Sequence, residues 1–290
     1  IPSKYLIIIT MEFRILNKLL EYLQEDIPFE DLSTNLVPEG LRAKASIEAR
    51  ENFKVFGVKY AEMLMRYFEL NINPLKRDGD WVKKGDILIK VEGNARKILM
   101  LERTVLNLIS RLSGITTQTA YFVIKAKNLR KDIIVACTRK TTPGLRYFEK
   151  MAVKAGGGDT HRFSLSDSIM IKDNHLKALG GVENALKIAK ELSSFAHKIE
   201  VEVENLDDAV KAAELGADIV MLDNMPPEEI KKVVEIFKER GYYGKVLLEA
   251  SGGITFENLE EYVRTGVNVI SSGALTYGAK WVDVALELEV

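Results

Sequence analysis

The stretch IEVEVENLDDAVKAAELGADIVMLD, residues 199–223, decides the fold of this protein. It contains a β-branched run at Ile199–Val203, a helical pattern over residues 207–215 and a second apolar run at Ile219–Asp223. Short apolar strands that alternate with helices of this length are typical of parallel strands joined by helical crossovers. The stretch therefore predicts one strand–helix–strand unit of an α/β protein.

The same alternation recurs on both sides of this unit. Further short apolar runs lie at residues 133–138, 168–172, 246–250 and 268–272, and further helical patterns at residues 182–192, 227–240 and 256–265. A complete βα barrel has eight such units, whereas this sequence supplies about six. We therefore expect an incomplete, open α/β barrel of about six parallel strands over residues 116–275.

The first part of the chain has a different pattern. A helix is predicted over residues 11–24, and a helical pattern over residues 95–128, interrupted near Gly114, predicts one or two long helices. Strand-like alternation between them predicts a small N-terminal α+β domain over residues 11–115, on which residues 276–290 are expected to pack. We interpret residues 1–10 as a leader or an upstream extension.

The pattern GDWVKKGD at residues 79–86 is similar to the hammerhead turn of a biotinyl or lipoyl carrier. No lysine stands nearby in the Met-Lys-Met or Asp-Lys context that such carriers modify. Two tight turns around a short strand are the simpler interpretation.

Composition excludes several classes of protein. The chain has 290 residues, 47% of them apolar and 29% charged, with a net charge of −1. This balance gives no reason to expect a nucleic-acid partner. The apolar run at residues 5–10 is shorter than the roughly 20 residues that a membrane span needs, so no membrane partner is expected. A single cysteine, Cys137, excludes an internal disulfide and predicts a buried thiol in a reducing, cytoplasmic compartment.

Cationic side chains are concentrated in three neighbouring segments: TRKTTPG at residues 138–144, GGGDTHR at 156–162 and KDNH at 172–175. A protein of nearly zero net charge has no general need for such a cluster. Arginine offers bidentate geometry for carboxylate or phosphate, and lysine offers a point charge. The segments therefore predict a binding site for a small, strongly anionic ligand, with the candidates Arg139, Lys140, His161, Arg162 and Lys172; His175 is a weaker one.

Most of these candidates stand where a predicted strand ends, as do Glu202, Asp223, Ser251 and Ser272. In a βα barrel the carboxyl ends of the strands converge on the face that carries the chemistry. Lys172 at such a position admits a second interpretation, a Schiff-base lysine. We favour a salt-bridging role because the neighbouring cations require an anion rather than a carbonyl substrate.

Two carboxylates are expected at the same face. Glu202 and Asp223 close neighbouring strands, so they could bind sugar hydroxyls, an associated Mg²⁺ or a developing positive charge. Glu200 and Glu204 would share a strand face with Glu202, so the residues alone leave the choice among the three open.

Small residues follow the last two predicted strands. At these positions a barrel brings backbone N–H groups close to a phosphate. The alternative is a pair of turns that merely require glycine. The candidate phosphate-binding residues are Ser251, Gly252, Gly253, Ser272, Gly273 and Ala274.

Seven motifs, TRKTTPGLR, GGGDTHR, IKDNH, EVEVEN, MLDNM, EASGGI and SSGALT, occur in the order and spacing seen in quinolinate phosphoribosyltransferase. The chain resembles this family from about Glu25 onward. The resemblance implies an open α/β barrel beside an N-terminal sandwich. It also implies transfer of the phosphoribosyl group of phosphoribosyl pyrophosphate (PRPP) to quinolinate, with Mg²⁺ accompanying PRPP and with loss of CO₂.

The resemblance also assigns roles to residues. Lys140, Glu202 and Asp223 would be catalytic, and the segments 251–253 and 272–274 would hold the 5-phosphate of PRPP. Quinolinate would be bound by Arg103, Thr138, Arg139, Lys140, His161, Arg162 and Lys172. The resemblance implies a homodimer or a hexamer, in which Arg103 would reach the site from the partner subunit. One departure is Thr160, where many relatives carry asparagine.

Other functions remain open at the level of sequence. They are a same-fold phosphoribosyltransferase of a molybdenum operon, an enzyme for another pyridine acid, a Schiff-base barrel aldolase that uses Lys172, and a noncatalytic hammerhead-type carrier.

Overall fold

The computed structural model describes residues 3–289, and side chains from residue 11 onward. Of the ten residues interpreted as a leader or extension, the first two lie outside the described residues. Among the helices described, none combines the length and apolar character that crossing a membrane requires.

The first half of the described chain contains the helices α1 (Ser3–Asp26), α2 (Val58–Tyr67) and α3 (Ala95–Leu129). Its strands are β1 (Arg42–Ala49), β2 (Phe53–Lys54), β3 (Asn71–Pro74), β4 (Trp81–Val82) and β5 (Ile87–Asn94).

The second half contains the strands β6 (Ile134–Ala136), β7 (Ile169–Ile171), β8 (Ile199–Val203), β9 (Ile219–Asp223), β10 (Leu247–Ser251), β11 (Val269–Ser271) and β12 (Val284–Glu289). Its helices are α4 (Arg146–Ala155), α5 (Asp173–Leu179), α6 (Val182–Leu192), α7 (Leu206–Glu214), α8 (Pro227–Glu239) and α9 (Leu259–Val263). Short 3₁₀ turns span Thr34–Leu36 and Gly273–Leu275.

By its contacts the chain divides into two units. One runs up to Thr117 and resumes at Lys280, and the other is Gln118–Ala279. The divisions therefore fall at residues 117/118 and 279/280, where the sequence placed them at 115/116 and 275/276.

The first unit is built on an antiparallel sheet in the order β12-β1-β5-β3. In β1, Ala43, Ala45 and Ile47 are buried while the residues between them are more exposed, as a strand with one face on a core requires. The hammerhead-like pattern forms two turns, with positive φ at Gly79 and Gly85. The sequence missed α2 and the short β3.

The predicted interruption near Gly114 is wrong, because α3 is continuous over 35 residues. A Cβ on Gly114 would lie 1.9 Å from the carbonyl oxygen of Lys280. The glycine therefore serves the close approach of a second backbone segment and does not break the helix.

The second unit contains the predicted parallel sheet of six strands, in the order β6-β11-β10-β9-β8-β7. All six strands lie within the predicted runs or one residue beyond them, and β6 and β7 are the two edges, so the open barrel is confirmed.

Local sequence features explain where two helices begin. Asn205 caps α7 by accepting the N–H of Asp208, and Pro227 is the first residue of α8. Helix α9 is shorter than predicted, and α4 and α5 were not predicted.

Candidate active site

A cavity of about 470 Å³ lies at the carboxyl ends of the parallel strands in the second unit. This is the face on which βα barrels carry their chemistry. The residues lining it are Thr138, Arg139, Lys140, His161, Arg162, Met170, Lys172, Glu202, Met221, Asp223, Asn224, Glu249, Ser251, Gly252, Gly253 and Ser271.

The segment after β6 carries the first two cations. Its turn is held by the Thr138 hydroxyl, which accepts the N–H of Lys140 at 3.0 Å. Arg139 has its Nε buried, with no hydrogen-bond partner among the described residues. Because a buried donor without a partner is costly, this guanidinium is suited to an anionic ligand.

The segment before β7 carries His161 and Arg162. It runs beside β6, where Asp159 donates its N–H to Val135 and accepts the N–H of Cys137. The Asp159 carboxylate accepts the N–H of His161 at 2.6 Å. His161 has a φ of 50°, a left-handed conformation that is unusual for a residue with a side chain.

Beneath the cavity, the His161 ring faces two buried carboxyl groups. Its Nε2 lies 3.3 Å from Glu249 and 3.7 Å from Glu200, and each glutamate is 1% exposed. Burial alone would lower the pKa of His161, but its contacts with Glu200 and Glu249 outweigh burial and raise it to about 10. Burial also raises the pKa of Glu200.

The other ring nitrogen of His161, Nδ1, accepts the N–H of Arg162 at 2.8 Å. A high pKa would place a proton on Nδ1, facing that N–H, so the two observations differ. The hydrogen bond to Nδ1 fits a neutral ring whose proton lies on Nε2. Nε2 then donates to Glu249 at 3.3 Å, while Glu200 lies 3.7 Å away. The three side chains lie close enough for a metal site, but a protonated Nε2 has no lone pair to offer a metal.

Arg162 is held by neighbours on its own segment and on β7. Its guanidinium lies 3.3 Å from the carbonyl oxygen of Ser168 and 3.0 Å from the sulfur of Met170. Its Nε is buried without a partner among the described residues. Burial lowers the pKa of Arg162, and the charge of Glu200 opposes this change.

Lys172 and Glu202 form an ion pair across two strand ends, with Nζ 2.5 Å from Oε2. The Glu202 side chain is 11% exposed and that of Lys172 is 43% exposed. In this arrangement Lys172 neutralises a carboxylate. His175 accepts the backbone N–H of Lys172 and so caps α5, which is a structural role.

The sheet register places the second carboxylate on the neighbouring strand. Glu202 is paired with Met221, and Asp223 with Ser251. Asp223 accepts the side-chain N–H of Asn224 at 2.7 Å. Glu204 lies beyond the end of β8 and is exposed, so Glu202 is the member of the predicted trio that lines the cavity.

One of the two predicted phosphate segments lines the cavity. Gly252 has a φ of 88°, and a Cβ there would lie 2.3 Å from Oδ1 of Asn224, so two constraints demand glycine. From the other segment, Ser272, Gly273 and Ala274 are not among the described cavity-lining residues. Ser271 takes that place, with its hydroxyl 3.0 Å from that of Ser251.

Arg103 belongs to the first unit, on α3. Its side chain is 66% exposed and lies 4.0 Å from Glu102.

Sequence reasoning missed an inner layer of this site. Residues two positions before a strand end point to the same side as the strand end itself. The missed residues are Met170 before Lys172, Met221 before Asp223 and Glu249 before Ser251. Glu200, two positions before Glu202, was considered from the sequence, and the same period of two applied at the other strand ends would have found these three.

The fold and the cavity define a barrel enzyme that acts on small, multiply anionic substrates. Two family models match the chain: quinolinate phosphoribosyl transferase, N-terminal domain, at residues 27–113, and quinolinate phosphoribosyl transferase, C-terminal domain, at residues 115–287. The chain belongs to the quinolinate phosphoribosyl transferase family.

Individual relatives agree with this assignment. A probable nicotinate-nucleotide pyrophosphorylase [carboxylating] from Methanothermobacter thermautotrophicus is 49% identical over 92% of this chain and 96% of the relative. The human nicotinate-nucleotide pyrophosphorylase [carboxylating] is 36% identical over 92% of this chain and 89% of its own length. The crystal structure of NadC from Streptococcus pyogenes has a TM-score of 0.88 and 38% identity, and the match covers 95% of this chain and 96% of the other.

Proposed function

We propose that this chain transfers the phosphoribosyl group of PRPP to quinolinate and releases pyrophosphate and CO₂, giving nicotinate mononucleotide. The observation that carries the proposal is the composition of one cavity. Four arginine and lysine side chains, the carboxyl groups of Glu202, Asp223 and Glu249, and a glycine-bearing loop face the same space. These are the groups required by a dicarboxylate, a ribose and a phosphate, respectively.

Quinolinate binds among the cations Arg139, Lys140 and Arg162, with Thr138 and His161 beside them. The position of both arginines on the cavity wall supports this placement, because guanidinium groups offer carboxylates bidentate hydrogen bonds. Fixing both carboxylates of the substrate turns its ring nitrogen toward C1 of the ribose, which removes much of the entropic barrier to attack.

The phosphoribosyl donor lies across Glu202, Asp223 and the segment 251–253. As pyrophosphate leaves, positive charge develops on the sugar, and preorganised carboxylates stabilise that charge. Lys140, as a cation, acts on the anionic leaving pyrophosphate and not on the sugar. Decarboxylation then follows on the ring, whose nitrogen has become quaternary and withdraws electrons from the adjacent carbon.

The ion pair between Lys172 and Glu202 supports an electrostatic role for this lysine. An imine-forming lysine would need an amine that is free to attack a carbonyl substrate, whereas Nζ of Lys172 lies 2.5 Å from a carboxylate oxygen of Glu202.

Magnesium is part of the proposal as the cation that is bound together with PRPP. The oxygen donors of the pyrophosphate fit this hard cation, and the carboxylates near it, Glu202 and Asp223, are compatible with its charge. When bound, it neutralises charge on the leaving pyrophosphate.

The assembly is also part of the proposal: a homodimer or a hexamer, with Arg103 of one subunit serving the cavity of the other. A reducing, cytoplasmic compartment is proposed on the ground that the only cysteine, Cys137, is a buried free thiol.

A turnover assay with quinolinate and, separately, nicotinate tests this function. We expect CO₂ release and a strong preference for quinolinate, because a monocarboxylate leaves part of the cation cluster without its anionic partner. Equal rates with the two acids would overturn the dicarboxylate assignment, and a borohydride-trapped imine at Lys172 would favour the aldolase.

A further inference from the structure

Helix α4 carries two neighbouring charged residues, Glu149 and Lys150, whose exposed fraction is 0%. Neither lines the cavity, and nothing in the sequence singled them out. Burying a charge is costly unless it is well paired, so two adjacent buried charged side chains need contacts that compensate this cost.

Lys150 bonds to the backbone on both sides of His161. Its Nζ donates to the carbonyl oxygen of Thr160 and, at 2.9 Å, to that of Arg162. Since His161 has the left-handed φ of 50°, these two carbonyls fix the turn at its most strained residue.

The same ammonium contacts the start of the other cation-bearing segment. Its Nζ lies 3.7 Å from the sulfur of Cys137, which directly precedes Thr138, and 5.5 Å from the centre of the Phe163 ring. A lysine ammonium has three N–H donors, and the two carbonyls and the sulfur account for them. Burial lowers the pKa of Lys150, and the neighbouring Cys137 opposes this change.

Glu149 bonds in a similar way to the segment after β6. Its carboxylate accepts the N–H of Thr142 at 3.0 Å and the hydroxyl of Thr142 at 2.9 Å. Thr142 lies two residues beyond Lys140. One turn of α4 therefore ties down both segments that carry the substrate-facing cations.

We propose that Lys150 is a positioning residue, which sets the spacing between the cations Arg139 and Lys140 and the pair His161 and Arg162, and thereby the selectivity for a pyridine dicarboxylate. Glu149 is the corresponding positioning residue for the segment after β6. The inference deepens the proposed function and rests on it. Within the part of the chain that the structure describes, the contacts of the Lys150 ammonium are with two backbone carbonyls, a thiol and a ring, so it acts on the substrate through these segments.

The test compares Lys150→Met with Lys154→Met, a matched control one turn further along α4 where the lysine is exposed. Steady-state kinetics are measured with quinolinate and PRPP varied in turn. We expect Lys150→Met to raise KM for quinolinate by between about tenfold and a hundredfold, because small displacements of positioning groups have effects of that size. The KM for PRPP should change by less than about twofold, since segment 251–253 has no recorded bond to Lys150, and the preference for quinolinate over nicotinate should fall.

Lys150→Gln is a second variant for the case in which Lys150→Met does not fold, because an amide keeps two N–H donors without a buried charge. It should show the same split between the two KM values in a milder form. Equal increases in both KM values, or a lower melting temperature with unchanged kinetics, would overturn the positioning role. Absence of turnover in the wild type and in Lys154→Met would instead refute the proposed function.

Discussion

At the scale of single residues, the site is marked by polar groups that the protein itself leaves unsatisfied. The buried Nε atoms of Arg139 and Arg162 have no partner among the described residues, and such groups are rare in folded proteins unless a ligand or water completes them. Glu202, in contrast, is already paired with Lys172. In the proposed function, the arginines accordingly bind quinolinate in the ground state, and Glu202 faces a charge that appears during the reaction.

This difference predicts the effect of Glu202→Gln. The variant should lower kcat by about a hundredfold, because a preorganised charge aimed at the transition state is removed. The KM for quinolinate should change by less than about threefold, because that carboxylate faces the ribose. Glu204→Gln is the matched control, since Glu204 is exposed just beyond the same strand. A collapse of quinolinate affinity with an intact kcat would contradict this division of roles.

At the scale of elements, strand ends and the short segments after them supply the cavity, and glycine decides how closely those segments approach. Gly252 combines a φ of 88° with a contact distance that leaves no space for a Cβ beside Asn224. The main chain can thus approach a phosphate with its N–H groups, as segments before helices or turns do in other phosphate sites.

Gly252→Ala should therefore affect the donor substrate first. We expect KM for PRPP to rise about tenfold or more and stability to fall by about 1–3 kcal/mol, since strain and a clash with Asn224 act together. Gly244→Ala is the control for strain alone: its φ is 86°, nothing lies within 4 Å of its Cβ position, and it is remote from the cavity-lining residues. If both variants lost stability equally and KM for PRPP were unchanged in both, segment 251–253 would not be the phosphate site.

At the scale of the whole molecule, the proposed residues are divided between two units. The cavity belongs entirely to Gln118–Ala279, whereas Arg103 belongs to the other unit. A two-fold dimer in which each subunit completes its partner's site is a common solution to such a division.

Mixing two inactive variants tests the shared site. Arg103→Ala and Lys172→Ala, exchanged at equal amounts, should recover about a quarter of wild-type activity, because half of the dimers are mixed and each mixed dimer regains one intact site of two. Arg139→Ala mixed with Lys172→Ala is the control and should recover nothing, since both residues line the cavity of one chain. No recovery with Arg103→Ala, despite proven subunit exchange, would place Arg103 in its own subunit's site or outside the chemistry.

The sequence by itself determined the six parallel strands, their order along the chain and most of the residues that line the cavity. These features follow from the period of apolar residues and from the polar residue at each strand end, such as Lys172, Glu202 and Asp223, and both are properties of short segments. Only the tertiary structure decided which side chains meet. The ion pair of Lys172 with Glu202, the contact of His161 with Glu249 and the reach of Lys150 to the carbonyls beside His161 join residues that are from ten to 88 positions apart. The continuous α3 at Gly114 has the same origin, since the reason for that glycine is a backbone segment from the far end of the chain. Such contacts depend on how the elements pack, and no local pattern encodes them.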